Sequence, residues 1–326
     1  MKIIRVGSRD SALAVKQTRL VMDALARAHP ELRIELVTMK TAGDLNLRPF
    51  EQLAQKEDGS GTNRFGAKGL FVKELEQALM DERIDVAVHS LKDMPMEQDE
   101  RLPIRAFFER GDPRDALVSP LRRAEPDGDI GCSSARRRVQ LERLMPGRVR
   151  PIRGNVPTRL KKLDEGQYAF LVLAAAGLRR LGLGSRISRI FSPEEMIPAA
   201  GQGSLACQVR GEDSGFIDAL NDPDTEDCAR AERAFVARLG GGCALPVAAY
   251  ARARGTELIL RGLYVDEAEN LYRSASLSGD RRDAVKLGET LASRLQKGEI
   301  QGVGENRAPT WTSPHKVQLG SEIFER

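Results

Sequence analysis

Four stretches of this chain carry side chains suited to work on a charged reactant. In SLKDMP, Lys92 and Asp93 follow a short apolar run, Asp85 to His89, at a strand's carboxyl end, the edge where open α/β sheets bind ligands. A carboxylate there can steady a developing cation or shuttle a proton. In GCSSARRR, Ser133 or Ser134 begins a helical pattern whose first turn holds Arg136, Arg137 and Arg138. Arginines at that end oppose the helix dipole while the exposed backbone N–H groups favour anions, so a bound carboxylate or phosphate would relieve the cost. RGNVPTR follows the next strand pattern and adds Arg153 and Arg159. Cys243 follows three glycines that clear its approach, the setting of a reactive loop thiol. Each feature alone has a plainer reading: solvated helix arginines, an ordinary Lys-Asp turn, a packed His89, and Cys207 and Cys228 as small buried hydrophobes. Cys132 fits either kind of thiol.

These groups sit in a chain of 326 residues, 41% hydrophobic and 30% charged, which suits two or three globular domains rather than disorder. The net charge of +4 conceals a local +9 between residues 131 and 162, where eight arginines and two lysines meet one glutamate. Something anionic is expected to meet that segment. Nucleic acid is the usual partner of such a block, yet residues 131–162 contain no Phe, Tyr or Trp on which bases could stack. Bidentate capture of carboxylates by arginine fits the same residues. The four cysteines form no C-x-x-C pair, so neither a metal site nor a disulfide framework is expected, and a reducing cytoplasm suits them. The longest apolar run, Ala169 to Leu178, is short of the roughly 20 residues a membrane helix needs. MKIIRVGSRD turns charged before an apolar signal region can develop, so secretion is not expected.

The positioning elements follow from periodicity. Lys2 to Gly7, Ser11 to His29 and Leu32 to Leu36 read as strand, helix, strand. Residues 43–66 are polar and turn-rich, and read as a lid or a disordered segment. A helix over Lys68 to Asp81 and the strand before SLKDMP complete a first α/β unit. Strand patterns at Ile104 to Phe108, Ala116 to Ser119, Asp129 to Cys132, Val149 to Ile152 and Ala169 to Ala174, with helices after Ser133 and Asn155, make a second. SLACQVR, after Gly203, reads as a strand returning to the first sheet, which joins the units by two crossings. A helix from Thr225 to Leu239, three strands between Val247 and Leu277 and a helix from Asp283 to Leu295 make the last unit α+β. The expected domains are 1–102 with 199–220, then 103–198, then 221–326.

SRDSALA, KGLFVKELE, VHSLKDMP, DPRDALVS, GCSSARRR, RGNVPTRL, LAAAGLRRLGL, PAAGQG and GGCALP occur in the order seen in porphobilinogen deaminases. Over roughly residues 3–250 the chain resembles that family. The resemblance implies two doubly crossed α/β lobes, like type II periplasmic binding proteins, and a smaller α+β domain. It also implies hydroxymethylbilane synthase activity in a cytoplasmic monomer: four porphobilinogens join head to tail, with loss of ammonia, into a linear tetrapyrrole. Each ring carries an acetate and a propionate, which accounts for crowded arginines. A dipyrromethane primer is implied on Cys243, through a thioether, and Asp93 is implied as the catalytic carboxylate. Lys92, Ser134, Arg136 and Arg137 match positions that hold primer carboxylates. Arg9, Ser11, Lys68, Arg153, Arg159 and Arg180 match positions for incoming substrate or the growing chain. The chain departs from the family at Cys132 for threonine, Ala12 for proline, Pro157 for glycine and Gln208 for glutamate, and KEDGSGTNR expands its lid segment. A rival reading keeps the two lobes as a plain anion-binding module. Such a module has no use for a GGC thiol. An RNA-binding protein, the other rival, would bind with steep salt dependence.

Overall fold

The structure, a computed structural model, describes residues 2–42, 71–121, 128–145, 147–211, 215–240, 246–269 and 271–299. β1 (Ile3–Arg9) and β2 (Arg33–Met39) flank α1 (Ala12–Ala28). That helix buries Gln17, Thr18, Val21 and Leu25, which recur on one face, and Ser11 caps it by accepting from the Ala14 amide at 3.3 Å. Next come α2 (Lys73–Met80), β3 (Val86–Ser90), a 3-10 turn over Leu91–Asp93, and β4 (Ile104–Phe108). The middle of the chain forms β5 (Asp115–Val118), β6 (Ile130–Gly131), α3 (Ala135–Leu144), β7 (Val149–Arg150) and α4 (Val156–Asp164). β8 (Phe170–Ala174), α5 (Ala175–Arg180), β9 (Ile187–Ile190) and β10 (Leu205–Val209) follow. The last elements are α6 (Pro223–Arg238), β11 (Ala248–Arg254), β12 (Glu257–Asp266), β13 (Leu271–Asp280) and α7 (Ala284–Lys297).

One sheet runs β2-β1-β3-β10-β4, with β1 parallel to β2 and β3, and β10 antiparallel to β3 and β4. A second runs β7-β6-β8-β5-β9 in the same pattern: three parallel strands, then one antiparallel strand and its edge partner. β5 arrives from the first sheet and β10 from the second. Two connections therefore cross between the lobes, as the reading of SLACQVR anticipated.

One assignment changes. Ile104–Phe108 was expected in the second unit, but β4 is an edge strand of the first sheet, with Phe108 opposite Leu205 of β10. All five residues of β10 are buried, so its backbone needs a partner on both sides. That partner lies far away in sequence, where no local pattern carries the pairing. Two further elements, α5 and β9, lack a counterpart in the sequence reading. α5 has only six residues, and the burial of β9 shows no alternation.

The third sheet, β11-β12-β13, is an antiparallel meander covered by α6 and α7. A Cβ at Gly288 would lie 2.3 Å from the Ala231 carbonyl, so only glycine allows these two helices to approach. This unit packs on both lobes. Ala248, Leu263 and Val265 share a core with Val139 of α3 and Ile197, while Ala229 of α6 joins Met94, Phe107 and Ala206 of the first lobe.

A cationic cleft as candidate active site

In the first sheet the parallel strands β1, β2 and β3 end together, which brings Arg9, Lys40 and the Ser90–Asp93 turn to one edge. In the second, β6, β7 and β8 do the same for the segments at Cys132, Arg153 and α5. The two edges line a single cleft of about 670 Å³. Arg9, Ser11, Lys92, Asp93, Arg137, Arg153, Arg159 and Arg180, all expected from the sequence as site residues, line it together. Its described lining holds seven basic side chains against two acidic ones, Asp10 and Asp93.

Two expected residues lie off that lining. Ser134 is the N-cap of α3 and accepts from the Arg137 amide at 3.4 Å. Arg136 is buried and donates to Asp115 Oδ2 at 2.6 Å and to the Ile197 carbonyl at 2.9 Å. Arg137 also meets Asp115, through Nε at 2.8 Å and Nη2 at 2.7 Å, and donates to the Val172 carbonyl. Arg138 points away and pairs with Glu267 of the third unit. The cost of arginines in the first turn of α3 is thus relieved by the protein's own carboxylates. Burial pushes Asp115 up, but the two guanidiniums outweigh it and hold its carboxyl well below the usual range. Lys68, Cys243 and the segment 43–66 lie outside the described residues.

Among the other cations of the described lining, burial lowers the pKa of Lys92, Arg159 and Arg180. Lys92 falls to about 8, with Asp93 pulling the other way, and Arg159 to about 10. Arg159 donates from Nε to the Gly154 carbonyl at 2.7 Å, and Arg180 from Nη2 to the Gly203 carbonyl at 2.6 Å. Neither joins an ion pair among the described residues. A cationic cleft of this kind gains most from a ligand that brings carboxylates.

The sequence reading missed several lining residues. Gln17 lies in the buried stripe of α1 and accepts from Ser90 Oγ at 3.1 Å; a glutamine among apolar stripe positions was the available signal. Lys40 follows β2 at the same edge as Arg9, and Phe71 lies under the Arg9 guanidinium, 4.3 Å from ring centre. His89 is buried behind the site. Gln208 donates to Glu76 and to the Leu102 carbonyl, so its oxygen accepts from His89 Nε2 at 3.1 Å, which fixes the imidazole tautomer.

The sequence model described as porphobilinogen deaminase, dipyromethane cofactor binding domain, matches residues 4–218, and that described as porphobilinogen deaminase, C-terminal domain, matches residues 227–297. The chain is similar to a porphobilinogen deaminase of Acetivibrio thermocellus, with 48% identity over 299 residues that cover 90% of this chain and 98% of that protein. It is 43% identical over 303 residues to one of Chromobacterium violaceum, covering 90% of this chain and 94% of the other. Among solved structures, the BenM effector binding domain with its effector benzoate overlaps 67% of this chain and 88% of its own, with a TM-score of 0.38 and 18% identity. An overlap at that level carries no argument.

Proposed function

The chain belongs to the porphobilinogen deaminase family, and on that premise we propose that porphobilinogen is joined to the growing chain in the cleft between the two sheets, with Asp93 as the catalytic carboxylate. The protein is a transferase of tetrapyrrole and porphyrin biosynthesis that condenses four porphobilinogens head to tail into linear hydroxymethylbilane, releasing ammonia. The observation that carries the site is the convergence of both sheet edges on a cleft where, among the described lining residues, Asp93 is one of two carboxylates beside seven cations.

The family's dipyrromethane cofactor fits this donor set. Its rings bring four carboxylates, and the cleft offers Arg159 and Arg180, which join no ion pair among the described residues, beside a partly buried Lys92. When bound, the group supplies a covalent primer to which substrate units are added. Cys243 would hold it by a thioether, and Lys92 and Arg137 would take its carboxylates. Ser134 and Arg136 serve the same carboxylates from behind, Ser134 by capping the turn that carries Arg137 and Arg136 by sharing Asp115 with it. Arg9, Ser11, Lys68, Arg153, Arg159 and Arg180 bind the acetate and propionate of each incoming porphobilinogen.

Asp93 answers the charge requirement of the reaction. When the aminomethyl group of porphobilinogen leaves as ammonia, positive charge develops on the pyrrole ring, and it returns on carbon–carbon bond formation. A fixed carboxylate facing the ring nitrogens stabilises both. Lys92 holds carboxylates rather than moving protons, because an ammonium beside the cationic ring opposes the reaction. Primer-loaded Asp93→Asn should release ammonia in a single turnover on the order of a hundredfold to a thousandfold more slowly than the parent. Release at the parent rate would assign the chemistry elsewhere, and Asp10→Asn, which alters the other acidic lining residue, should keep most of it.

Among the described residues no helix is long and apolar enough to cross a membrane. We place the protein in the cytoplasm as a monomer acting on a small molecule, with neither nucleic acid nor membrane as partner. Sedimentation at micromolar concentration should give the mass of one chain.

A further inference from the structure

The two lobes are joined by the connection after β4 and the one before β10. Both pass under α6 of the third unit, where Glu232 is fully buried. Its Oε1 accepts from Arg110 Nη1 at 2.6 Å and from the Ala251 amide at 2.7 Å. Its Oε2 accepts from the Gly201 amide at 2.6 Å and from Arg110 Nη2 at 3.3 Å. Arg110 belongs to the first connection, Gly201 to the second, and Ala251 to β11. One carboxylate therefore ties both connections to the third unit. Thr225 of the same helix adds a second tie, accepting from the Arg110 amide at 3.1 Å.

The tie reaches the cleft within two residues. The Arg110 Nε donates to the Gln202 carbonyl at 2.9 Å, and the Gln202 side chain donates to the Pro113 carbonyl and to Asp115 Oδ1 at 3.0 Å while accepting from Arg137 Nη2 at 3.4 Å. At the crossing, the Gly111 amide donates to the Gly203 carbonyl at 3.2 Å, and Arg180 donates to that same carbonyl. Gly203 has φ +93°, and a Cβ there would stand 2.6 Å from the Gly111 carbonyl. The backbones touch, so rotation in one connection is felt by the other.

This arrangement bears on elongation. Asp93 comes from the first lobe and Arg137, Arg153 and Arg159 from the second, so the torsions of the two connections set their separation. A cleft of about 670 Å³ is in the range that holds a drug-sized ligand, whereas the bound chain grows with each condensation. The room left for added rings depends on the lobe separation, and that is set by connections that Glu232 grips.

We propose that Glu232 is a positioning residue for chain elongation: by holding Arg110 and Gly201 to the third unit, it sets the lobe separation at which Asp93 and the cleft arginines act, and so which enzyme-bound chain lengths accumulate. The inference rests on the cleft being the elongation site. Glu232→Gln keeps the side-chain volume but sets an NH2 against N–H donors, which breaks part of the grip.

The test compares parent and Glu232→Gln holoenzymes by ammonia release in the first condensation and by mass spectra of the enzyme-bound chain lengths at steady state. The first condensation should stay within about twofold of the parent, while species carrying two or three added units change in abundance by roughly fivefold or more. An unchanged ladder, or equal losses in the first step and in overall turnover, would overturn the proposal, since a merely structural role lowers all steps together. If Glu232→Gln does not fold as holoenzyme, the milder Thr225→Val is measured in the same way, and an unchanged ladder there overturns it too. A parent that forms no ladder overturns the elongation reading of the cleft, and this inference with it.

Discussion

Lys92 changes charge within the range in which an enzyme works. Burial lowers it to about 8, so its ammonium is present below that pH and lost above it. An unfolded lysine titrates near 10.5, so between about 8 and 10.5 the unfolded chain binds more protons and this residue's burial penalty shrinks as pH rises. Its capacity to hold a carboxylate moves the opposite way. Loading of apoprotein with primer, taken as the ratio of parent to Lys92→Arg, should therefore fall roughly tenfold between about pH 7.5 and 9.5, because arginine stays charged. Taking the ratio cancels the ionisation of Cys243, and a flat ratio would remove Lys92 from primer binding. At Cys243 itself, peptide mass spectra of the purified enzyme should show an adduct of two pyrrole rings. An unmodified Cys243 in protein that still converts porphobilinogen would end that assignment.

The elements show why α3 tolerates three arginines in its first turn. Asp115, the first residue of β5, is fully buried and holds Arg136 and Arg137 together, so the ion cluster docks the helix on the second sheet and aims Arg137 at the cleft. Asp115→Asn keeps the shape but leaves two buried guanidiniums short of a counter-charge. Loss of one partner from a buried ion cluster costs about 3–5 kcal/mol, which should appear as a lower urea midpoint. A change under about 1 kcal/mol would mean that water already reaches the cluster. The departures at Pro157 and Ala12 are mild at this scale. Both fall in the first turns of α4 and α1, where a backbone N–H has no partner within its helix. Gln208 replaces a charge with an amide that satisfies His89, Glu76 and the Leu102 carbonyl at once.

For the whole molecule, the third unit braces the lobes, and Cys243 falls in sequence between its α6 and β11. Its sheet packs on α3 through Leu263 and Val265, its Tyr272 ring lies 3.7 Å below the Arg143 guanidinium, and Arg233 donates to the Pro95 carbonyl of the first lobe. Leu263 is fully buried at the contact with α3. Leu263→Ala should cost about 2–5 kcal/mol and should speed hydrogen exchange in α3 as well as in β12. Exchange that rises in β12 alone would show that the third unit opens independently.

Much of this was written locally along the chain. Helix caps, strand periods, the basic block and the GGC thiol each depend on residues a few positions apart, and those determined most of the elements, several of the cleft-lining residues and the family resemblance. The tertiary structure decided what depends on pairing at a distance. It put β4 beside β10, brought Gln17 and Lys40 to the cleft, turned Arg136 inward to Asp115, and gathered both connections under Glu232. The physical reason is shared by all four. A buried strand edge or a buried charge must find a partner, but its energy does not depend on how far along the chain that partner lies, so no spacing in the sequence announces it.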